Sequence, residues 1–251
     1  MRNLVLLGLL MALPARAETP YVHQQGVLTG EQTTAIEAQT TLGTRDLRSL
    51  GGRGVEQGLR VRHAILEGTT LEAFGGTIWQ PESTGELRAG SIGVEVVQRL
   101  LSQKQLGFDL QLAGGGYRDP TGVFIPRIRG LLGRSWGRLH AQLTGIAEIP
   151  LSGQRDSVDV ILGAAAAWQL TSLTALGLEF LGEDLEAIWN PAEAEGGARM
   201  LAGPSLHTSW GHLHVHANVA ATTQWLPAAQ TGLTTAPQYG ALGRINLGWR
   251  F

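Results

Sequence analysis

Histidines clustered in one short stretch are the residues of this sequence best suited to binding a metal ion. The stretch is SLHTSWGHLHVH, Ser205–His216, and of its four histidines His207, His214 and His216 are the candidate ligands. A two-residue turn at Trp210-Gly211 predicts that His207 lies opposite His214, with His216 and His212 one step away on the same face. Imidazoles in this arrangement can bind Zn, Cu or Ni. The alternative is that they are polar residues filling a wet interior. Because the stretch offers no carboxylate or cysteine ligand, no metal or other cofactor is predicted.

Arginines and carboxylates form a second group of residues that could do chemistry. They recur on one side of stretches in which apolar and polar residues alternate, and their charges are of both signs. Inside a membrane protein such groups are costly unless they are hydrated or paired, so they either line a water-filled path or pair across a narrow space. The predicted interior-facing set is Glu37, Gln39, Arg60, Arg62, Glu72, Glu95, Asp109, Gln111, Arg127, Arg129, Arg138, His140, Gln142, Glu148, Glu179, Arg244, Asn246 and Arg250.

The elements that position these side chains are predicted to be strands. Alternation of apolar and polar residues with a period of two returns at regular intervals, and the helical period of 3.6 prevails in none of these windows. A tilted strand of about ten residues crosses the hydrocarbon layer of a membrane. The predicted strands cover residues 34–42, 57–66, 71–79, 86–97, 105–115, 123–132, 138–149, 158–170, 173–181, 200–209, 212–225 and 241–251.

The links between these strands are alternately short and long. EGTT, LSQK and SWG are among the short links, whereas GTRDLRSLGGRGVE and LPAAQTGLTTAPQ are among the long ones. Short turns at one end and long loops at the other are typical of a membrane barrel with both chain ends on the periplasmic side. The prediction is therefore an all-β fold, a transmembrane antiparallel up-and-down β-barrel over residues 33–251, with twelve strands and with ten or fourteen as alternatives.

The predicted outward face of the barrel is apolar and carries tryptophans near the strand ends. In the last strand Ile245, Leu247, Trp249 and Phe251 form the outward row. An apolar exterior around a polar interior reverses the arrangement of a soluble barrel. Indole rings prefer the two membrane–water interfaces, so the tryptophans predict aromatic girdles. The predicted girdle residues are Trp79, Trp136, Trp168, Trp210, Trp225 and Trp249.

Residues 1–17 have the layout of a secretory signal peptide. Arg2 precedes the apolar run Leu4–Leu13, and the small residues Ala15 and Ala17 predict cleavage after position 17. The apolar run is about half as long as a membrane-spanning helix requires. Residues 18–32 are predicted to be a polar periplasmic tail.

Net charge argues against one class of partner, and the lack of cysteines excludes disulfides as a source of stability. Removing residues 1–17 takes away two arginines, which changes the formal net charge from −2 to about −4 and argues against nucleic acid as a partner. The sequence has no cysteine, so an exported chain of this kind must be stabilised without disulfides. A sheet closed on itself, with no free edge, is one way to achieve this.

The signal peptide, the alternating links and the final Ile-x-Leu-x-Trp-x-Phe pattern together resemble bacterial outer-membrane β-barrel proteins. The resemblance covers residues 34–251 and points to no particular subfamily. It implies a location in the outer membrane of a Gram-negative envelope, with lipid around the barrel. It also implies that Ile245, Leu247, Trp249 and Phe251 form an insertion signal read by periplasmic chaperones and the barrel-assembly machinery.

The predicted interior leaves three functions open. The first is a narrow passive pore or facilitator for small polar solutes, with anionic solutes favoured by the arginine rows. The second is a closed-lumen structural or surface-interaction barrel that acts through its long loops, among them the acidic loop Gly182–Gly197. The third is an outer-membrane lipid hydrolase using Ser205 and His207. Because no residue is evident that would orient this histidine, neither a catalytic residue nor enzyme activity is predicted. The oligomeric state stays open.

Overall fold

Alternating apolar and polar residues along the chain produce twelve antiparallel strands in one closed sheet. The computed structural model describes residues 34–43, 54–79, 87–119, 122–151, 158–183, 185, 199–224 and 239–251. The strands are β1 Thr34–Gly43, β2 Gly54–Leu66, β3 Thr69–Trp79, β4 Leu87–Leu101, β5 Asp109–Arg118, β6 Phe124–Trp136, β7 Leu139–Glu148, β8 Asp159–Gln169, β9 Thr174–Glu183, β10 Arg199–Trp210, β11 Leu213–Gln224 and β12 Tyr239–Arg250. The predicted all-β barrel and its number of strands are both confirmed.

The barrel closes because its first and last strands pair with each other. Every other pair joins strands that follow one another along the chain, which is the up-and-down order. The seam between β1 and β12 joins Ala35 to Arg250 at one end and Gly43 to Leu242 at the other. Closure removes both edges of the sheet, so the backbone N–H and C=O groups of the strands can all find partners without water.

The start of the fifth strand differs from the sequence-based prediction. Alternation predicts a strand from residue 105, whereas residues 103–106 form a short helix, α1, Gln103–Leu106. The Ser102 backbone N–H donates to Gln105 Oε1 at 3.0 Å, and Gly107 ends the helix with a φ of 78°. A Ser followed three residues later by Gln is the capping-box pattern of a helix start, and this local signal overrides the alternation.

This helix also lengthens one of the turns that the sequence predicts to be short. The link between β4 and β5, residues 102–108, is longer than the link between β5 and β6, residues 119–123. The Gln103 backbone N–H donates to Asp109 Oδ1 at 3.0 Å, which ties the start of α1 to the start of β5. No helix among the described residues is long and apolar enough to cross a membrane.

The outer surface of the barrel is apolar, and most of the charged side chains of the strands lie inside. Leu178 is 67% exposed, and Ile128 and Val219 are also largely exposed near the middle of their strands. The intervening positions on the same strands carry buried groups such as Arg129 and Glu179. This is the predicted reversal of a soluble barrel, and it leaves a wide apolar band on the outside.

Part of the interior is apolar, which the sequence analysis does not predict. Ile146 of β7, Ile161 and Ala165 of β8, and Leu181 of β9 form a buried cluster against which Leu201 packs. On β8 the inward row consists largely of small and aliphatic residues, because both rows of the run Val160–Trp168 are apolar. Within the described residues of β8, Asp159 at the start of the strand is the one buried charged side chain, and the rest of the charged interior lies on other strands.

Gly115 lets β5 pass close to Val94 and Glu95 of the neighbouring strand β4. A Cβ added there would lie 2.7 Å from Glu95 Cα and would collide with the Val94 carbonyl oxygen. We expect Gly115→Ala to lower the free energy of unfolding by about 1–3 kcal/mol because the backbone of β4 would have to move. Denaturant unfolding in lipid vesicles measures this loss.

Gly114 provides the matched control for this substitution. It adjoins Gly115 on the same strand, and a Cβ added there meets nothing within 4 Å. Gly114→Ala is therefore expected to change the free energy of unfolding by no more than about 0.5 kcal/mol. Equal losses in the two variants would contradict the close approach at Gly115.

Candidate functional site: the charged interior

Eight interior side chains form a charge-balanced group, which we call the arginine–glutamate cluster. Its members come from β1, β2, β3, β4, β6 and β7, and they occupy inward positions of those strands. Four are positive and four are negative, so the cluster has no formal net charge. The members are Glu37, Arg60, Arg62, Glu72, Glu95, Arg127, Arg129 and Glu148.

Glu72 forms ion pairs with three arginines of this cluster. Its Oε1 lies 3.3 Å from Arg60 Nε, and its Oε2 lies 3.6 Å from Arg62 Nε and 3.8 Å from Arg129 Nη2. The side chain is 0% exposed. A buried carboxylate is very costly without compensation, and these three guanidinium groups supply it.

Glu95 binds two arginines that reach it across a whole strand. Arg129 Nη2 donates to Glu95 Oε2 at 2.7 Å, and Arg127 Nε donates to Glu95 Oε1. The strand between them is β5, where the pairing places Ala113 beside Arg129 and Gly115 beside Arg127. Because these two residues are small, the arginines of β6 can lie over β5 and reach β4.

On the side of β7, Arg127 contacts a further carboxylate, that of Glu148, and two aromatic rings. Arg127 Nη1 lies 3.6 Å from Glu148 Oε1, and the Tyr117 hydroxyl donates to Glu148 Oε2 at 2.8 Å. The guanidinium carbon of Arg127 lies 5.2 Å from the centre of the Phe74 ring and 5.5 Å from that of Tyr117. These cation–π contacts help to hold the Arg127 guanidinium in place. Sequence analysis missed both aromatic residues, although alternation within β3 and β5 places them on the inward rows.

Across β9, β10 and β11 lies a second group, the histidine–glutamate cluster, which consists of Glu179, His207 and His216. His216 Nε2 lies 2.8 Å from Glu179 Oε1, and His207 Nε2 lies 3.7 Å from the same oxygen. The two imidazole rings stack with their centres 4.2 Å apart and their planes at 17°. All three side chains are buried.

The pairing of the histidines differs from the sequence-based prediction. His207 lies opposite His216, and His214 lies opposite Ser209. The prediction of His207 opposite His214 is therefore wrong, because the two central turn residues are Gly211 and His212 rather than Trp210 and Gly211. Gly211 has a φ of 58°, which suits the first central position of a two-residue hairpin turn.

His214 of β11 lies beside the arginine–glutamate cluster, across the seam strand β12. His214 Nε2 lies 3.6 Å from Glu37 Oε1, and Arg62 Nη1 donates to that same oxygen at 3.4 Å. On β12, the Asn246 amide nitrogen lies 3.2 Å from His216 Nδ1. The two clusters therefore lie next to each other on the inner wall, with His214 and His216 two residues apart on the inward row of β11.

The remaining predicted interior residues occupy varied positions. Arg244 Nε donates to Thr41 Oγ1 at 3.2 Å, and Asp109 binds the start of α1 as described above. Arg138 lies in the exposed turn between β6 and β7, outside the inward rows, because Gly137 turns the chain there with a φ of 58°. Inward positions outside the two clusters hold Gln39, Gln111, His140, Gln142 and Arg250.

Exposed tryptophans lie at strand ends, as the sequence predicts. Trp136, Trp168, Trp210 and Trp249 lie at the end with the short turns, and Trp79 lies at the opposite end of the barrel. Strand pairing places Leu139 beside both Trp136 and Trp168, and Leu213 beside both Trp210 and Trp249. These positions suit an aromatic girdle, whose role stays a prediction.

Several predictions concern parts of the chain outside the described residues. These are the signal peptide at residues 1–17, the tail at residues 18–32, Trp225 and most of the acidic loop at residues 182–197. Of the predicted insertion signal, Ile245, Leu247 and Trp249 lie on the outward row of β12, and Phe251 follows the strand with its side chain exposed. Their role in insertion stays a prediction.

Solved structures of outer-membrane barrels share this architecture at low sequence identity. The NanC porin matches with a TM-score of 0.59 and 9% identity over 87% of this chain and 100% of its own. A KdgM porin in complex with disordered oligogalacturonate matches with a TM-score of 0.54 and 12% identity over 86% and 99%. Omp33 of Acinetobacter baumannii matches with a TM-score of 0.51 and 8% identity over 90% and 100%.

These comparisons establish the architecture of the chain. At such identities the similarity shows the fold alone, and it confirms the resemblance to outer-membrane β-barrel proteins. No protein-family model matches the sequence, and no curated protein sequence matches it significantly.

Proposed function

We propose that this protein is an outer-membrane barrel that forms a narrow passive pore for small polar solutes. The observation that carries the proposal is the arginine–glutamate cluster inside a closed barrel whose outer face is apolar. Charged side chains lining a constriction are a common means of selecting solutes in pores. Two of the proteins that share the fold, NanC and KdgM, are porins, which supports the same reading.

The arginine–glutamate cluster forms the narrow section of the proposed pore. Its side chains are largely buried, so water and solutes have little room beside them at this level. The cluster is balanced in charge, and we propose that anionic solutes are favoured where they compete with its carboxylates for Arg127 and Arg129. The KdgM structure holds oligogalacturonate, a polymer with a carboxylate on each sugar, which fits this class of solute.

The proposed location follows from the outer surface and from the ends of the sequence. Lipid surrounds the exposed apolar band, and residues 1–17 direct export and are then removed. The short turns and both chain ends face the periplasm, with residues 18–32 as a tail. Ile245, Leu247, Trp249 and Phe251 serve as the insertion signal during assembly.

A specific observation also favours a second function, a barrel whose lumen is closed. Glu72 and Arg129 are both 0% exposed, so the paired charges fill the space around them. In this case the protein acts through its long loops as a structural or surface-interaction barrel.

Single-channel conductance of the refolded protein in a planar bilayer distinguishes the two functions. We expect discrete conductance steps with a preference for anions, and we expect Arg127→Ala and Arg129→Ala to bring the ratio of anion to cation permeability close to one. Arg134→Ala is the matched control, because this arginine lies on the outward row of β6, over the Trp136 ring, and should leave selectivity unchanged. A folded barrel without conductance would reject the pore and favour the closed lumen.

The structure gives little support to the third function, a lipid hydrolase. Ser205 and His207 both lie inside the barrel, away from the lipid that such an enzyme would act on. Among the described residues, Ser205 Oγ has no hydrogen-bond partner, so the contact by which His207 would activate it as a nucleophile is not observed. Detergent-solubilised protein whose esterase activity disappears in Ser205→Ala would restore this function.

A further inference from the structure

We propose that Glu179, His207 and His216 bind a divalent transition-metal ion on the inner wall of the barrel. Two imidazoles and one carboxylate are a ligand set that suits Zn²⁺, and Cu²⁺ and Ni²⁺ bind similar donors. The site is independent of the proposed function, because a barrel with a closed lumen would hold it equally well.

The donor atoms already converge on one point. His207 Nε2, His216 Nε2 and a carboxylate oxygen of Glu179 all lie within 4.8 Å of one another. Zinc bonds of about 2.0–2.2 Å in tetrahedral geometry place neighbouring donor atoms about 3.3 Å apart. Both imidazoles direct Nε2 toward Glu179 Oε1, so small rotations of the side chains bring all three donors within range of one ion.

Strand pairing holds these side chains in place before any ion binds. His207 and His216 face each other across β10 and β11, and their rings are stacked. Glu179 lies on the neighbouring strand β9, where it pairs with Gly203. Because all three side chains are buried and the two rings are stacked, little conformational entropy remains to be lost when an ion binds.

A second observation, at the other oxygen of Glu179, also supports a bound cation. Among the described residues, Glu179 Oε2 is buried and has no hydrogen-bond donor. An unsatisfied buried carboxylate oxygen is costly, and a metal ion beside it would remove that cost. The existing contact with His216 satisfies only the other oxygen, Oε1.

Asn246 is placed to orient His216 as a ligand. Its amide nitrogen lies 3.2 Å from His216 Nδ1, while its buried Oδ1 has no partner among the described residues. Reversing the amide brings Oδ1 against Nδ1, which then carries the imidazole proton. Nε2 is left with a free lone pair directed at the ion, which is the usual role of a residue behind a metal-binding histidine.

The first test is titration of the metal-free, folded barrel in detergent micelles with ZnCl₂ by isothermal calorimetry. We expect one ion to bind per barrel, and we expect Glu179→Gln and His216→Gln each to abolish this binding. Asn246→Ala should weaken it about 10- to 100-fold. His140→Gln is the matched control, because His140 is an interior histidine that binds Ser135 and lies outside the cluster. It should bind zinc like the unsubstituted protein.

A second measurement does not rely on the variants folding. X-ray absorption at the zinc edge of the unsubstituted, zinc-loaded barrel should show two imidazole ligands together with oxygen ligands. A spectrum without histidine ligands would overturn the proposal, as would the absence of zinc binding or equal binding in Glu179→Gln and His216→Gln.

Discussion

Replacing Glu72 by alanine is expected to lower the free energy of unfolding by about 3–5 kcal/mol. The carboxylate is fully buried and lies within 4 Å of Arg60, Arg62 and Arg129. Without it, three guanidinium groups lose the carboxylate that they share, and Arg62 and Arg129 keep only their contacts with Glu37 and Glu95 among the pairs described above. Arg60 can turn toward water because its side chain is 19% exposed, whereas Arg129 is fully buried and cannot.

Unfolding by denaturant in lipid vesicles provides the measurement, and Glu67→Ala provides the control. Glu67 lies in the exposed turn between β2 and β3, so its removal should change the free energy of unfolding by no more than about 0.5 kcal/mol. A similarly small effect for Glu72→Ala would mean that water reaches the arginines when the carboxylate is absent. That outcome would count against a packed narrow section and in favour of a wider pore.

Placing an arginine at Leu178 is expected to cost about 2–4 kcal/mol of stability in a bilayer. Leu178 is 67% exposed on the outward row of β9, and it lies near the middle of that strand. If lipid covers this surface, a guanidinium there has to be moved out of water into hydrocarbon. On a barrel surrounded by water, the same exposed substitution would change stability by no more than about 0.5 kcal/mol.

An arginine at Leu66 is the control that distinguishes the effect of depth in the membrane from the effect of surface exposure. Leu66 is 71% exposed, but it is the last residue of β2, at the end with the short turns. Leu66→Arg should therefore cost only about 0–1 kcal/mol, because the guanidinium reaches the membrane–water interface. Equal costs for the two arginines in refolded vesicle samples would remove the support for a lipid-covered band.

The strands could be predicted because a barrel in lipid imposes the same pattern on each of them. In β11, for example, the alternation of His214, His216 and Asn218 with Val215 and Ala217 is visible in the sequence and matches the observed faces. The interior-facing residues were predicted from the same rule. Of that predicted set, Arg138 alone lies in a turn of the described structure.

The partners of the inward residues depend on register, which alternation does not specify. Alternation places Glu179 and His207 inside the barrel, but only the pairing of β9 with β10 brings them together. The error at the β10–β11 turn arose from shifting the turn by one residue toward the N-terminus. Glycine occurs at the second central position of type I′ turns and at the first of type II′ turns, so the sequence alone did not decide between the two placements of the turn.

Contacts across an intervening strand are harder still to predict. Arg129 reaches Glu72 on β3 and Glu95 on β4 because Ala113 and Gly115 of β5 leave room beneath it. Nothing in the sequence around Arg129 identifies those carboxylates. The apolar patch around Ile161 was missed for a different reason. Both rows of β8 are apolar, so alternation does not indicate which row faces inward.

The seam between β1 and β12 sets the order in which the barrel can assemble. Arg244 and Thr41, which meet there, are 203 residues apart in the chain, whereas every other strand pair can form as a hairpin between chain neighbours. Bringing such distant segments together is the slowest kind of contact to form. Until β12 has been synthesised, β1 keeps a bare edge that could pair with another copy of the chain. Whatever guides this protein into a membrane therefore has to shield the first strand for as long as the last one is missing.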